Sequence, residues 1–377
     1  MAHTGPSGAT PQRRIKKPER QPRPRPTVVT ASTTTDMDEE TRTRLETLQD
    51  TLGDLQEALM LTTVYDELED METTLSMLPS HVEALRTRGY VFRNYLEKKV
   101  TVMDEKWEEM YERVADEVSR QARELERESD VAESALRRAT GGDANAIARA
   151  ESAIDTLEHK IDAAGSAIAN MYDTLRQNVS QTDAEIEQID WMLDQIDEAS
   201  FSLYPAEDPV MACRAQFMKS EKDGPKGILY LTDERLIFEQ KEKITTKKVL
   251  FIPTEKETVQ ETRFTVTVGQ IEETMTQQKG FLGHKELLDL QFSSNAALSG
   301  ARFRLRGAEN ETWAGLIGRV KSGEIAKERT KPKDKEAVEA ARQAPTKCTT
   351  CGATLDVEIV RGMREITCEY CGSVIRL

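Results

Sequence analysis

The sequence predicts a multidomain chain: an all-α helical hairpin, then a small β-barrel with a C-terminal helix, then a short cysteine-rich unit. Three observations predict this order. Up to about Ser200, apolar residues recur at steps of three and four, which is the pattern of a coiled-coil seam. After Ser200 the pattern becomes alternating, which is typical of strands. Four of the five cysteines fall in two close pairs near the end of the chain.

The coiled-coil hairpin is predicted over residues 79–200. Pro79 precedes Ser80, and Glu83 follows at capping-box spacing, so we expect the first arm to begin at Ser80. The run Gly141-Gly142-Asp143 predicts the turn, because glycine weakens a helix and aspartate caps the next one. The seam residues are Val82, Leu85, Phe92, Val100, Met103, Trp107, Met110 and Val114, then Ile154, Leu157, Ile161, Ala164, Ile168, Met171, Leu175, Ile186, Ile189, Leu193 and Ile196. A coiled coil has no pocket, so this hairpin is expected to hold other parts of the protein in place and not to catalyse.

A separate helix is predicted over residues 36–78. Its leucines step by three and four, which again indicates a seam: Leu45, Leu48, Leu52, Leu55 and Leu59. This helix either packs beside the hairpin or pairs between chains. We therefore expect self-association into a homo-oligomer, of a stoichiometry that the sequence leaves open.

Charge is distributed unevenly along the chain, whose net charge is -15. Residues 1–35 carry seven Lys/Arg and one Glu, whereas residues 36–200 carry 17 Lys/Arg and 40 Asp/Glu. The acidic helices would repel nucleic acid and anionic membranes, so such contacts are expected elsewhere in the chain. Residues 1–35 are rich in Pro and Arg and are predicted to be disordered, either as a solubilising tail or as a basic arm for nucleic acid, anionic lipid or the acidic helices.

The sequence indicates a cytoplasmic protein that could be peripheral to a membrane. It has no apolar run of transmembrane length, and Arg and Pro stand where a signal peptide needs an apolar core. Paired terminal cysteines fit a metal site in a reducing compartment better than a disulfide framework.

The alternating region, residues 201–322, is predicted to form short strands closed by one amphipathic helix. The strands are expected at 209–218, 227–232, 235–238, 249–252, 264–268, 287–292 and 301–305. In the helix, Trp313, Leu316, Ile317 and Val320 form one buried stripe. The run from Gly227 to Phe238, together with Trp313, resembles GRAM and bacterial pleckstrin-homology-like (PH-like) domains over about residues 205–322.

This resemblance implies binding of phosphoinositides, other anionic lipids or proteins, with lipid-binding lysines in the loop between the first two strands. The candidate headgroup- or partner-binding residues there are Lys219, Lys222 and Lys226. A second basic loop contains Lys241, Lys243, Lys247 and Lys248. The alternative is that these lysines are solvated side chains on a domain that docks protein.

A charged linker is predicted over residues 323–346, followed by a metal-binding unit over residues 347–377. The pairs Cys348/Cys351 and Cys368/Cys371 are separated by sixteen residues, the spacing of a four-thiolate zinc site. Strands around Leu355–Ile359, Ile366 and Val374–Leu377 are expected, and the unit resembles a zinc ribbon. Iron in a rubredoxin-like site and a redox pair are the alternatives.

Four thiolates leave no open coordination position, so the predicted Zn²⁺ is structural. No set of nucleophile, base and orienting group is recognisable, and no phosphate loop, which predicts a non-enzymatic protein without a small-molecule substrate. The leading interpretation is a scaffold or adaptor in which the coiled coil presents the PH/GRAM-like domain and the ribbon to protein partners or an anionic membrane. The alternative is a nucleic-acid-associated protein that uses the basic tail, the linker and the ribbon.

Overall fold

The computed structural model describes residues 37–220, 223–249, 252–279 and 285–377. The predicted basic tail, residues 1–35, lies outside the described residues. The chain divides into two compact units. The first contains the described residues up to Ser80 together with Lys98–Ala184, and the second contains His81–Glu97 and the chain from Glu185 onward.

The first unit is helical. Its helices belong to α1 (Glu39–Ala58), α2 (Thr62–Thr87), α3 (Leu96–Ala139) and α4 (Ala144–Asp197), the last three of which continue into the second unit. Asp38 caps α1 by accepting a 2.8 Å hydrogen bond from the Thr41 N–H, and Asp143 caps α4 in the same way. None of the described helices has an apolar stretch of the length that a bilayer crossing requires.

Helices α3 and α4 run antiparallel, as the Gly-Gly-Asp turn predicts. Thr182 near the far end of α4 lies against Met103 near the start of α3, whereas Lys160 lies 2.6 Å from Glu128 further along. Positions at heptad spacing on α4 are buried: Ile147, Ala150, Ile154, Leu157, Ile161, Ala164 and Ile168. Burial on this spacing supports the predicted seam, while supercoiling of the helices stays a prediction.

Helices α1 and α2 pack along α4 in the same direction as α4. Arg44 of α1 contacts Glu151, and further along, Glu67 of α2 accepts a 3.0 Å hydrogen bond from the Tyr172 hydroxyl. The seam leucines Leu45 and Leu52 are buried within the chain. At these two positions the α1 seam is already packed within a single chain. Self-association stays a prediction.

Two predicted helix boundaries in this region are wrong. The helix expected over 36–78 is interrupted near Leu61, which has a φ of 48°. Helix α2 then continues through Pro79, so the hairpin arm does not begin at Ser80; the long helix α3 begins at Leu96. Proline inside a helix costs about 3 kcal/mol. A buried stripe on both sides of Pro79 offsets this cost: Leu75, Leu78, Val82 and Leu85.

In the second unit, the loop between α2 and α3 is organised by Arg86. Its guanidinium donates to the carbonyl oxygens of Tyr90, Phe92 and Arg93 at 3.0, 2.7 and 3.0 Å, and its Nε lies 2.7 Å from Glu97. Tyr90 and Phe92 are buried. We call residues 88–95 the interhelical loop.

The second unit is built around one seven-stranded antiparallel sheet. Its strands are β1 (Pro209–Phe217), β2 (Lys226–Thr232), β3 (Arg235–Val249), β4 (Ile252–Thr267), β5 (Ile271–Lys279), β6 (Lys285–Phe292) and β7 (Gly300–Arg306). Their order in the sheet is β4-β3-β2-β1-β7-β6-β5. Helix α5 (Asn310–Lys321) follows β7, so the predicted order of strands followed by one helix is confirmed.

The sheet is strongly curled, although it is not the closed barrel that we expected. Phe264 on β4 stacks on Phe303 of β7 at a ring-centroid distance of 5.7 Å, with three strands between them in the sheet. A flat sheet would separate these strands by about 19 Å, so the sheet must bend around an aromatic core. The end strands β4 and β5 are not hydrogen-bonded to each other in the described residues. Strand β5 was missed because it is polar and largely exposed.

Helix α5 covers one part of the core with the predicted stripe. Trp313, Leu316, Ile317 and Val320 are buried. We expect Trp313→Ala to lower the free energy of unfolding by about 3–5 kcal/mol, because it leaves a large cavity. Trp313→Phe should cost much less, since the Trp313 Nε1 has no hydrogen-bond partner in the described structure. Denaturant unfolding of both variants measures this difference, and equal losses would contradict the cavity explanation.

The other face of β1–β3 packs on the last part of α4. The Gln188 side chain donates to the Ala212 carbonyl at 2.8 Å, and the Arg214 guanidinium lies 5.3 Å from the centroid of the Trp191 ring. Lys241 on β3 pairs with Glu198 at 2.7 Å. The end of α4 is thus part of the second unit. The heptad pattern continues without a break at this point, so the sequence does not indicate the boundary.

The remaining elements are short. A 3₁₀ turn (Glu324–Glu328) and helix α6 (Lys335–Arg342) lie in the predicted linker. Strands β8 (Glu365–Thr367) and β9 (Val374–Arg376) pair antiparallel near the end of the chain.

Candidate metal centre and anion-binding pocket

The four terminal cysteines lie on two matching turns. The Gly352 N–H donates to the Cys348 carbonyl at 2.9 Å, and the Gly372 N–H donates to the Cys368 carbonyl at 2.8 Å. Both glycines have a φ of 73°, a left-handed conformation that favours glycine. The tight turn directly after each cysteine pair therefore favours glycine.

The sulfur atoms approach the geometry of a tetrahedral thiolate site. Cys348 and Cys371 have Sγ atoms 3.6 Å apart, those of Cys351 and Cys368 are 3.7 Å apart, and all four lie within 4.8 Å of one another. A zinc–sulfur distance of about 2.3 Å requires sulfur–sulfur distances of about 3.8 Å. A disulfide needs about 2.05 Å. Four cysteines at this spacing can hold a metal ion.

The electrostatics of the cluster also fit a cation. The backbone N–H groups of Cys351 and Thr350 lower the pKa of Cys348 to about 6. Hydrogen bonding from Ser373 likewise lowers the pKa of Cys371. For Cys351, the Ala353 N–H favours the thiolate, but the neighbouring sulfurs outweigh it and raise the pKa to about 12. Four thiolates cannot all form side by side without a cation to balance their charge.

The chain between the two cysteine pairs docks on the sheet domain. We expected a strand around Leu355–Ile359, but these residues form no strand. Instead, the Arg361 N–H donates to the Leu203 carbonyl at 2.7 Å, and the Tyr204 hydroxyl lies 3.2 Å from Glu358. Contacts with another part of the chain replace the strand pairing. We call residues 347–377 the cysteine module.

The cysteine module docks beside a buried ion pair. Glu207 and Arg235 are joined by two hydrogen bonds of 2.9 and 2.8 Å, and both side chains are buried. The Glu207 carboxylate also accepts from Thr232 at 2.6 Å, while the Arg235 guanidinium lies 3.6 Å from the centroid of the Tyr204 ring. This pair fixes the turn before β1 against the β2–β3 turn.

A polar pocket of about 560 Å³ lies on the outer sheet face at the β1–β2 turn. The charged residues of its lining are Lys219, Lys226, Arg263, Arg304 and Arg306, with Asp223 and Glu242. Arg263 is paired with Glu261 at 2.6 Å, outside the lining. The other four cationic side chains against two carboxylates still leave an excess of positive charge. We call it the basic pocket.

Strand register brings the basic pocket together. Gln216 of β1 lies opposite both Arg304 of β7 and Lys226 of β2, so these side chains share one face. The β1–β2 turn passes close to β1: a Cβ on Gly224 would lie 1.8 Å from the Phe217 carbonyl oxygen. The Asp223-Gly224-Pro225 turn is therefore tight enough to require glycine.

The structure places the predicted binding lysines in different surroundings. Lys219 and Lys226 line the basic pocket, whereas Lys241 is paired with Glu198 and Lys243 is exposed on β3. The predicted second basic loop is wrong, because all four of its lysines belong to the long strand β3. Lys222 lies outside the described residues, and so do the side chains of Lys247 and Lys248.

Sequence reasoning missed the arginines of the basic pocket. On β7, Arg302, Arg304 and Arg306 alternate with apolar residues, which places all three on one face of the strand. That alternation is a usable signal. No local pattern places Arg263 in the pocket, because its location in the sheet depends on the long pairing of β3 with β4.

Comparisons with known proteins identify PH domains among similar solved structures. One is the Vps36 N-terminal PH domain, at 13% identity and a TM-score of 0.22 over 32% of this chain and 82% of that chain. The DH/PH domains of p115-RhoGEF match at 11% identity and a TM-score of 0.22, over 77% of this chain and 96% of that chain. The DH/PH domain of human ARHGEF11, in a complex with human RhoA and its inhibitor, matches at 9% identity and a TM-score of 0.23. This match covers 76% of this chain and 84% of that chain.

Structural similarity at these TM-scores supports no conclusion about function. No protein-family model matches the chain, and no curated protein is similar to it.

Proposed function

We propose that this protein is a non-enzymatic adaptor whose sheet domain binds phosphate-bearing headgroups of an anionic membrane in the basic pocket. The observation that carries the proposal is the excess of cationic side chains in that pocket. Arg304 and Arg306 have no carboxylate partner among the residues that the structure describes. Unpaired guanidinium groups on one strand face are suited to phosphate oxygens, because each presents several donors in a fixed plane.

The cysteine module has a structural role in this proposal. Cys348, Cys351, Cys368 and Cys371 would hold one Zn²⁺, which would supply the stability that so small a core lacks. The buried core around the cysteines contains Ile375 besides Cys348 and Cys368, with Ala353 and Leu355 packed against it. A metal-stabilised module that docks by its middle segment favours an adaptor over a catalyst.

The nucleic-acid alternative has weaker support. It uses the basic tail, the linker and the ribbon, and in the ribbon Arg361 is 2.8 Å from Asp208 and therefore already paired. Lys347, Arg364 and Arg376 remain as exposed cations of the cysteine module. Three exposed cations give little of the counterion release that nucleic-acid binding requires.

Exchanging both unpaired arginines tests the proposal. We expect Arg304→Gln/Arg306→Gln to weaken binding to phosphatidylcholine vesicles containing phosphatidylserine or phosphatidylinositol phosphates by about tenfold or more. Binding to vesicles of phosphatidylcholine alone should be negligible for every variant. Vesicle co-sedimentation of the full chain measures both.

The matched control is Lys331→Gln/Lys335→Gln, which removes the same charge from the linker, where both side chains are exposed. This control should bind like the unmodified protein. If the linker variant lost binding and the pocket variant kept it, the basic pocket would not be the site. Binding of an RNA or DNA duplex, lost in the linker variant, would favour the nucleic-acid alternative.

A further inference from the structure

Asp208, immediately before β1, is shared by two arginines that come from different parts of the chain. One carboxylate oxygen accepts from Arg329 Nη2, and the other lies 2.8 Å from Arg361 Nη2. Arg329 belongs to the segment after α5, whereas Arg361 belongs to the cysteine module. Asp208 is therefore the point at which these two segments meet the sheet domain.

A second acid lies beside it. Asp233, in the β2–β3 turn, accepts from the Asp208 N–H at 2.9 Å and pairs with Arg329 and Lys333 at 3.0 Å each. Burial raises the pKa of Asp233, which means that its charge is costly there. Both carboxylates are buried and need cations to offset the loss of hydration. The Asp208–Arg329 pair is strong only while it is shielded from water, so removing the docked module would expose it to solvent screening and weaken it.

The segment around Arg329 is also attached to the interhelical loop. The Asn94 N–H donates to the Glu328 carbonyl at 3.0 Å, and the Thr330 N–H donates to the Val91 carbonyl at 2.7 Å. Between these two bonds, the Arg329 guanidinium lies 5.0 Å from the centroid of the Phe92 ring. Arg329 thus connects Asp208 with the loop between α2 and α3. The predicted linker, residues 323–346, is therefore held against the interhelical loop at this point.

Arg361 belongs to the cysteine module, and its backbone N–H is bonded to the Leu203 carbonyl of the sheet domain. It lies in the segment between the two cysteine pairs, which has no strand pairing of its own. Its guanidinium also donates to the Glu207 carbonyl, beside Asp208. Because so small a module depends on its metal to fold, these contacts should form when the four cysteines are loaded and be lost when they are not.

We propose that metal binding by the four cysteines fastens the interhelical loop to the sheet domain, through Arg361, Asp208 and Arg329 in turn. The cysteine module is then a metal-dependent clip as well as a docking unit. This inference rests on the proposed metal site. It assigns to the module an effect on residues outside it, including Asn94 and Thr330.

Amide hydrogen exchange of the full-length protein, with and without a metal chelator, tests the clip. We expect chelation to speed exchange in peptides covering residues 88–95 and 324–330 by about tenfold. Arg361→Gln should show this faster exchange already in the metal-loaded protein, with no further change on chelation. Its metal content should remain one ion per chain, since Arg361 is not a ligand.

The matched control is Arg364→Gln, an exposed arginine three residues away, which should behave like the unmodified protein. If chelation changed exchange only within residues 347–377, or if Arg361→Gln kept the full chelation effect, the clip would be disproved while the metal site stood. If metal analysis of the unmodified protein found no ion, the proposed metal site itself would fail, and the clip with it.

Discussion

Cys348→Ser is expected to abolish metal binding and unfold the cysteine module. Cys348 is buried, and its sulfur lies 3.6 Å from that of Cys371, so a hydroxyl there leaves three thiolates and a weak ligand. Metal binding contributes about 10–16 kcal/mol to the folding of small zinc domains, far more than this core supplies. Elemental analysis should find one ion per chain in the unmodified protein and none in the variant. Exchange protection within residues 347–377 should vanish.

Cys213→Ala is the control for this experiment. Cys213 is buried in β1, and burial raises the pKa of its thiol, so it is neither a ligand nor a reactive group. The variant should keep its metal and lose about 1 kcal/mol of stability through a small cavity. Zinc rather than iron is expected, and the absence of a visible thiolate-to-iron absorption band would agree with that. An unmodified protein that stays fully protected after complete chelation would refute the structural role.

Arg235→Met should destabilise the sheet domain by about 3–5 kcal/mol, because it leaves the Glu207 carboxylate buried without its partner. The loss should be visible as a lower midpoint in urea unfolding. Arg235 also covers the Tyr204 ring, and methionine preserves part of that contact. The expected loss is therefore mainly electrostatic.

The double variant Glu207→Gln/Arg235→Met separates charge from packing. It should recover a large part of the stability, because no unpaired charge remains in the interior. Arg42→Gln, which breaks an exposed pair with Glu39 in α1, should change stability by less than about 0.5 kcal/mol. A double variant as unstable as Arg235→Met would show that shape, and not charge, determines the effect.

Together, the pocket and the clip describe how the second unit could serve as an adaptor. The basic pocket lies at the β1–β2 turn, whereas the clip lies at the start of β1 and at the β2–β3 turn. These two features occupy opposite ends of the same strands. Ligand binding and metal-dependent docking can therefore be tested independently by the arginine variants.

The local patterns of the sequence predicted several features correctly. The Gly141-Gly142-Asp143 turn, the buried stripe of α5 and the two cysteine turns each depend on residues within a few positions of one another. Such patterns act through backbone freedom, capping and periodic burial. Pro79 misled the prediction because packing on both sides of it overrode the local cost.

The sequence by itself determined that long helices precede a strand-rich region, that one amphipathic helix covers the sheet and that four cysteines form two pairs, because each of these features depends on the spacing of residues along the chain. Only the tertiary structure decided that the sheet curls without closing, that Arg304 and Arg306 share a pocket with Lys226, and that Arg329 and Arg361 meet at Asp208. These contacts join residues far apart in the chain. Strand register and the folding of the whole unit bring them together, and no local period encodes either.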